Sequence, residues 1–302
     1  MIDKLEFLLA VARERSFSRA AESCGVTQPT LSAGIKHLED SLGVLLVNRS
    51  SRFHGLTAEG ERVLEWAKRI VADARAMRQE IRAPKASLIG HLKIAAVPTA
   101  LGMTAQLTLP FQLKHPEVRF TILSRTSREI LTLLDGLEID AGLTYLDNEP
   151  LGQIRTAPLY HERYRLLTSA HRPLGDRETV TWKEVAQIPL CLLTPDMQNR
   201  RIIDRLLAGS TSAPPVMLES NSMVVLAAHV RTGQWSSIIP ETFADVLALN
   251  EPLRSIPIVD PQEVQRIGLV LPRREPMPAL TRALLAEAHR LALPEAENPN
   301  NR

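Results

Sequence analysis

Apolar positions in the first part of the chain fall at helical spacing. Leu5, Leu8, Leu9 and Ala12 share one face of a first helix. A second starts at Ser16-Phe17-Ser18, with Ser18 as its expected N-cap, and runs through Ala20-Ala21 to about Cys24. Gly25-Val26 breaks the pattern, and Gly25 suits the positive φ that a tight turn requires. Thr27-Gln28-Pro29 then reads as a new helix start. Thr27 caps it, and Pro29 lies in the first turn, where its missing N–H costs little. Leu31, Ile35, Leu38 and Leu42 place one buried stripe on this helix, which Gly43 ends. Two helices across a short Gly-containing break predict a helix-turn-helix, although any small helical bundle uses the same devices.

After Gly43 the apolar run Val44-Leu45-Leu46-Val47 gives way to Asn48-Arg49 and a polar stretch over 50–55. This predicts a hairpin or wing whose tip displays Arg49, Arg52 and His54, or else a solvated turn. A long helix follows from its cap, Thr57. Gly60 stands where a capping box would carry an acid. Val63, Ala67, Ile70, Ala74, Met77 and Ile81 recur alternately four and three residues apart, the a/d spacing of a coiled coil. Such a stripe packs on its own chain or on a second copy, and its place between two domains favours dimerisation. Pro84-Lys85-Ala86-Ser87 marks the boundary.

Beyond residue 90 the pattern changes. Apolar runs at 92–97, 118–124 and 140–144 read as strands, with helices at 103–114 and 127–135 between them. This β-α-β-α-β order calls for a mainly parallel sheet with helices on its faces. The alternation resumes with strands at 190–193, 216–218 and 236–239 and helices at 196–208 and 222–231. The stretches 164–168 and 267–271 read as a pair of crossing strands joining two α/β lobes, ahead of a final helix at 278–291. A clamshell of this kind places its default ligand site in the cleft. The expected divisions are a winged helix-turn-helix domain over 1–57, a linker and dimerisation helix over 58–83, a hinge over 84–90, a two-lobed domain over 91–295 and a disordered tail over 296–302.

Composition narrows the function classes. An apolar fraction of 44% with 23% charged residues fits a globular protein and excludes a largely disordered chain. No apolar run is long enough to predict a membrane span. The opening residues carry Asp3, Lys4 and Glu6 and lack a signal-peptide pattern, and the scarcity of cysteines makes a reducing, cytoplasmic setting the expectation. Cys24 and Cys191 stand far apart without metal-ligand spacing, so neither a disulfide nor a metal is expected. The net charge is only +2, and residues 1–60 balance seven Lys/Arg against seven Asp/Glu. Non-specific nucleic-acid binding is therefore a poor fit, and if the protein binds DNA a local arrangement of positive side chains must do it.

The N-terminal third resembles the LysR-type transcriptional regulators. The resemblance rests on Phe7, Ala10-Val11-Ala12, Ser16-Phe17-Ser18-Arg19-Ala20-Ala21 and Val26-Thr27-Gln28-Pro29-Thr30-Leu31-Ser32. It continues through Ile35, Leu38-Glu39, Leu42-Gly43-Val44, Leu46, Asn48-Arg49 and Leu56-Thr57-Ala58-Glu59-Gly60. More loosely it extends through Ser127-Arg128-Glu129-Ile130, the segment 133–143, and Gly233 through Trp235 to Pro240. It implies a winged helix-turn-helix, a long dimerisation helix, and an effector domain like type 2 periplasmic solute-binding proteins. It also implies a homodimer or homotetramer acting on promoter DNA, with RNA polymerase as a partner when it activates, and no cofactor. The chain departs from the family at Ala33-Gly34, where a long polar residue is common, and at Val47, where an aromatic is common.

On this reading Gln28 offers a carboxamide to adenine or to a phosphate, and Thr30 offers its methyl to thymine. Ser32 and Lys36 face the backbone or a base edge, and Arg49 and Arg52 suit phosphates or the minor groove. Ser18, Thr27 and Pro29 complete the expected DNA-contacting set. In the effector domain a hydroxyl recurs where a strand passes to a helix: Thr99, Thr126-Ser127 and Thr194. Such positions receive anions or simply cap helices. Ala100, Tyr145, Met197 and Ile239 are expected to shape the pocket, with a small organic acid or other anion as effector. His91, His115, His161, His171 and His229 are scattered, with no catalytic motif beside them, so an enzyme is not expected. A transport-type solute-binding protein, or a DNA-binding regulator with no effector, are the alternatives.

Overall fold

Helices α1 (Ile2–Glu14), α2 (Phe17–Ser23) and α3 (Gln28–Leu42) enclose the apolar side chains that the spacing singles out. Leu8, Val11, Leu31 and Ile35 are wholly buried, and each such side chain contributes about 1.5–3 kcal/mol by leaving water. The stripe on α3 overshoots this core: Leu42, in the last turn, is 44% exposed. The cap of α2 is Ser16 rather than Ser18, because the Ser16 side chain accepts from Arg19 N–H. Gly25 takes φ +67° in the turn before α3, and Gly43 takes φ +70° after it. The structure is a computed structural model that describes residues 1–49, 53–82, 88–147, 150–152, 154–209, 215–247 and 252–292.

Strands β1 (Val47–Arg49) and β2 (Phe53–Leu56) pair antiparallel as the expected wing. Two anchors hold its base. Glu39 of α3, 4% exposed, accepts on Oε1 from the N–H groups of Leu46 at 2.9 Å and Val47 at 3.2 Å. Thr57 donates through its hydroxyl to the Leu45 carbonyl at 2.6 Å and through its N–H to the Leu46 carbonyl at 3.0 Å. Thr57 also caps α4 (Ala58–Arg82), accepting from Gly60 N–H at 2.8 Å. The missing acid at position 60 now has a cause. A Cβ there would lie 2.0 Å from the Leu46 oxygen, so only glycine lets α4 pass the wing.

The expected α4 stripe divides in two. Ala67 and Val71 are buried in the N-terminal core and Ala74 is buried too, while Ile70, Met77 and Ile81 stay exposed with Trp66 beside them. Val63 lies between the two sets, half-buried. The chain separates into two compact units, Met1–Ala86 and Ser87–Arg302. Arg52, residues 84–87 of the expected hinge and the tail from 293 lie outside the described residues.

In the second unit, the first lobe is a sheet in the order β4-β3-β5-β13-β6. It is built from β3 (Gly90–Ala96), β4 (Val118–Ser124), β5 (Ala141–Tyr145), β6 (Ile154–Glu162) and β13 (Gln265–Pro272). Helices α5 (Met103–Lys114), α6 (Ser127–Asp135) and α11 (Ala279–Leu291) accompany it. The second lobe has the sheet order β11-β7-β12-β8. Its strands are β7 (Tyr164–Ser169), β8 (Val180–Thr181), β11 (Ser237–Pro240) and β12 (Leu253–Val259). The parallel pair β9 (Leu190–Leu193) and β10 (Val216–Ser220) attaches through a bridge between Leu190 and Ser236. Helices α7 (Trp182–Val185), α8 (Gln198–Leu207), α9 (Met223–Arg231) and α10 (Glu241–Val246) complete it.

Two expectations are corrected here. The sheets are mixed, not mainly parallel: β3 is parallel to β4 and β5, but β13 runs antiparallel to β5 and β6, and β7 antiparallel to β11 and β12. Nor do 164–168 and 267–271 cross as a pair, since they form β7 in one lobe and β13 in the other. The lobes are joined instead at Arg163, between β6 and β7, and by residues 260–264, between β12 and β13. Glu162 is the last residue before the first crossing.

Candidate functional site

The start of α3 stands out from the N-terminal unit. Ser18 donates to Gln28 Oε1 at 3.1 Å, which ties the start of α2 to the start of α3 and leaves the Gln28 amide donors outward. Thr27 caps α3 by accepting from Thr30 N–H at 3.4 Å, and the two threonine hydroxyls share a hydrogen bond of 2.8 Å. Capping therefore occupies Thr27. Gln28, Pro29, Thr30, Ala33, Lys36 and His37 are exposed, whereas Ser32 is half-buried. His37 was absent from the sequence-derived set, although its spacing of four from Ala33 and seven from Thr30 puts it on their face. Arg19, exposed beside Ser18, also joins this surface and donates to the Glu14 carbonyl at 2.5 Å. Gly34 is not a lost base reader: a Cβ there would meet the Phe7 ring of α1 at 2.6 Å. Arg49 lies in β1, Arg52 is outside the described residues, and His54 on β2 is exposed.

The clearest polar cluster of the second unit lies where the lobes cross. Tyr145, at the end of β5, donates to Glu162 Oε1 at 2.7 Å. Its hydroxyl is also 3.1 Å from Thr99 Oγ1 and accepts from Asn199 Nδ2 at 3.5 Å. Thr99, Tyr145 and Glu162 belong to the first lobe and its edge strand, Asn199 and Tyr164 to the second. All five are buried. Glu162 Oε2, Tyr164 OH and Asn199 Oδ1 have no hydrogen-bond partner. Burial pushes the Glu162 carboxyl up to about 7, against the opposing polar side chains of Tyr145, Thr99, Asn199 and Tyr164. Burial and the neighbouring Glu162 charge push the Tyr145 hydroxyl well up.

The expected effector residues separate accordingly. Thr99 and Tyr145 are in the cluster. Thr126 is engaged in a capping box, its hydroxyl accepting from Glu129 N–H at 3.2 Å and its N–H donating to Glu129 Oε2 at 2.8 Å. Ser127 Oγ and Thr194 Oγ1 lack partners, and no hydrogen bond joins either to the cluster. Ala100, Met197 and Ile239 prove to be core: the first packs in the main apolar cluster, the others in that of the second lobe. An open groove of about 690 Å³ runs between α6 and α8, lined by Arg128, Leu131 and Thr132 from one and Gln198, Arg201 and Arg205 from the other. Among the described residues no His/Cys/Asp/Glu group could hold a metal ion, and no helix is long and apolar enough to cross a membrane.

Two family models match this arrangement. Residues 2–61 match the bacterial regulatory helix-turn-helix protein, lysR family, and residues 85–292 match the LysR substrate binding domain. The chain belongs to the LysR family. A probable nitrogen assimilation transcriptional activator of Synechococcus elongatus is 29% identical over 280 residues, covering 91% of this chain and 89% of its own length. The DNA-binding transcriptional dual regulator OxyR of Escherichia coli is 26% identical over 270 residues, covering 89% of this chain and 88% of its own. Among solved structures, a variant of full-length OxyR from Pseudomonas aeruginosa superposes with a TM-score of 0.74 at 25% identity, covering 96% of this chain and 97% of that one. CbnR in complex with its target DNA shares the fold, with a TM-score of 0.65 at 22% identity over 97% of this chain and 100% of its own. This LysR-family chain is thus a DNA-binding transcription regulator with an effector-binding domain, and the matches to both units remove the transport-type alternative.

Proposed function

We propose that this LysR-family regulator reads promoter DNA with the outward face of α3 and responds to a small organic molecule that carries a carboxylate and is held between the lobes of its effector domain. The observation that carries the DNA reading is the exposed set Gln28, Thr30, Ala33, Lys36 and His37, with Gln28 oriented by Ser18. An α-helix fits the major groove, and a polar face of this width reaches base edges and flanking phosphates. Arg49 and Arg52 of the wing serve the backbone. Gln28→Ala is expected to cost about 1–3 kcal/mol of specific DNA binding, with oligomeric mass unchanged. Gel-shift titration beside light scattering checks this, and a lost oligomer would make Gln28 structural instead.

Pairing through α4 follows from its divided face. Trp66, Ile70, Met77 and Ile81 form an exposed apolar ridge, while Ala67 and Ala74 support the helix from beneath. Exposed Leu109 and Leu113 on α5 and Val224 on α9 offer the effector unit a second contact surface, as a tetramer needs. The double substitution Ile70→Asp with Met77→Asp is expected to drop the solution mass to that of a monomer and to abolish tight DNA binding. An unchanged dimer would exclude the ridge.

For the effector, α8 begins without a side-chain cap, and arginines line the groove between α6 and α8. Both favour an anion. Peroxide sensing by a thiol is disfavoured: Cys191, the cysteine of this domain, is wholly buried in β9 and burial pushes it up to about 11, whereas a reactive thiol needs exposure and thiolate character. Closing the lobes on ligand would re-space the DNA-binding heads and shift the DNA bend, with contact to RNA polymerase when the protein activates.

A further inference from the structure

The cluster at the lobe crossing contains something that an anion site should not: a carboxyl group. Glu162 is 0% exposed, and among the described residues no cationic side chain pairs with it. Its strongest neighbours, Tyr145, Thr99, Asn199 and Tyr164, are all neutral. Oε1 is engaged by Tyr145 at 2.7 Å, but Oε2 is buried without a partner. A carboxylate in that position is costly unless something supplies a counter-charge and a donor. A purely anionic ligand would make the position worse.

We propose that Glu162 is the counter-ion for a protonated amino group on the effector, so that the effector is a zwitterion of the amino-acid class. This rests on the reading of the interlobe cleft as the effector site. The ammonium donates to Glu162 Oε2 and places a positive charge against the buried carboxyl. Tyr145 holds the other oxygen, and Thr99 holds Tyr145 through a 3.1 Å hydroxyl contact. The acid end has a receiver close by. Asn199, which reaches the Tyr145 hydroxyl at 3.5 Å, lies in the first turn of α8, the helix that starts without a side-chain cap. Free N–H groups of that turn donate to a carboxylate. The route from Asn199 through Tyr145 to Glu162 is two hydrogen bonds long, which suits a molecule whose two charges are close together. The same arrangement reconciles an electropositive helix start with a buried acid: each end of one ligand meets its opposite.

The test is a thermal-shift titration of the full-length protein with the standard amino acids, each set beside its deaminated carboxylic acid and its decarboxylated amine. At least one amino acid should raise the melting temperature while both of its truncated forms fail. Glu162→Gln should weaken that response roughly ten-fold or more, since a charge-assisted hydrogen bond is replaced by a neutral one. The wild-type comparison stands alone should Glu162→Gln fold poorly. A deaminated acid that acts as well as its amino acid overturns the ammonium pairing and leaves the effector cleft standing. A full response in Glu162→Gln overturns the assignment of Glu162. If no compound in any series shifts the melting temperature, the amino-acid class is overturned. If the DNA footprint then also ignores every compound, the effector reading falls with it.

Discussion

Replacing Glu39 with Ala should destabilise the N-terminal unit by roughly 3 kcal/mol or more and abolish specific DNA binding, whereas Glu39→Gln should cost far less of both. The reason lies in one atom. Glu39 Oε1 accepts from both Leu46 and Val47 N–H at the base of the wing, and these three residues are buried. Removing the acceptor leaves two buried donors without partners, each costing about 1–3 kcal/mol. Glutamine keeps a carbonyl oxygen at the same place and can serve both. The wing leaves α3 through this contact, so its loss also unfixes β1 and β2. Thermal unfolding of both variants, with gel-shift titration, checks the contrast. Equal behaviour of the Ala and Gln variants would mean that the side chain acts by something other than accepting these bonds.

The second large effect is a pH dependence. Burial raises Glu162 from 4.5 to about 7 in the folded protein. The folded state therefore holds a proton that the unfolded state has released between these values, and stability falls as pH rises through that window. The shift corresponds to about 3 kcal/mol, present in full below pH 4.5 and lost by a little above pH 7. Glu162→Gln removes the titration. Without ligand, the difference in melting temperature between this variant and the wild type should grow in the variant's favour from pH 5 to pH 8. Asp140, also raised by burial, and Asp147 and Glu184, lowered by their hydrogen bonds, titrate in both proteins and drop out of the difference. A difference independent of pH would show that Glu162 is not the buried acid described.

The two units were not equally legible in sequence. Helical spacing and the Gly25 and Gly43 turns locate α1 to α4, because local propensity and burial agree there. The coiled-coil spacing on α4 over-reads its stripe. Ala67 and Ala74 answer to the core, and Trp66, outside the expected register, joins Ile70 on the exposed side. Strand β6 carries little signal because Pro158 interrupts it and polar residues fill it. Its place at the sheet edge tolerates the missing N–H, so the strand forms regardless. Pro257 masks β12 in the same way, falling where β7 alone flanks that strand. Glu162 ends β6, so a wholly buried carboxyl of the effector domain sits in the least legible strand. The hydroxyl pattern located Thr99 but not what it touches. Thr126 follows the ordinary capping role that Ser and Thr fill elsewhere, and Met197 and Ile239 are apolar residues at element ends that belong to the core.

On the proposed reading, the outward face of α3 reads DNA sequence. Selection of random duplexes by the full-length protein, repeated with Gln28→Ala and with Lys36→Ala, tests it most directly. Wild type should enrich a partly symmetric pair of half-sites. Gln28→Ala should relax one base position within each, and Lys36→Ala should weaken binding with little change in sequence preference. Failure of the wild type to enrich any sequence, or an identical enriched site from Gln28→Ala, would contradict it.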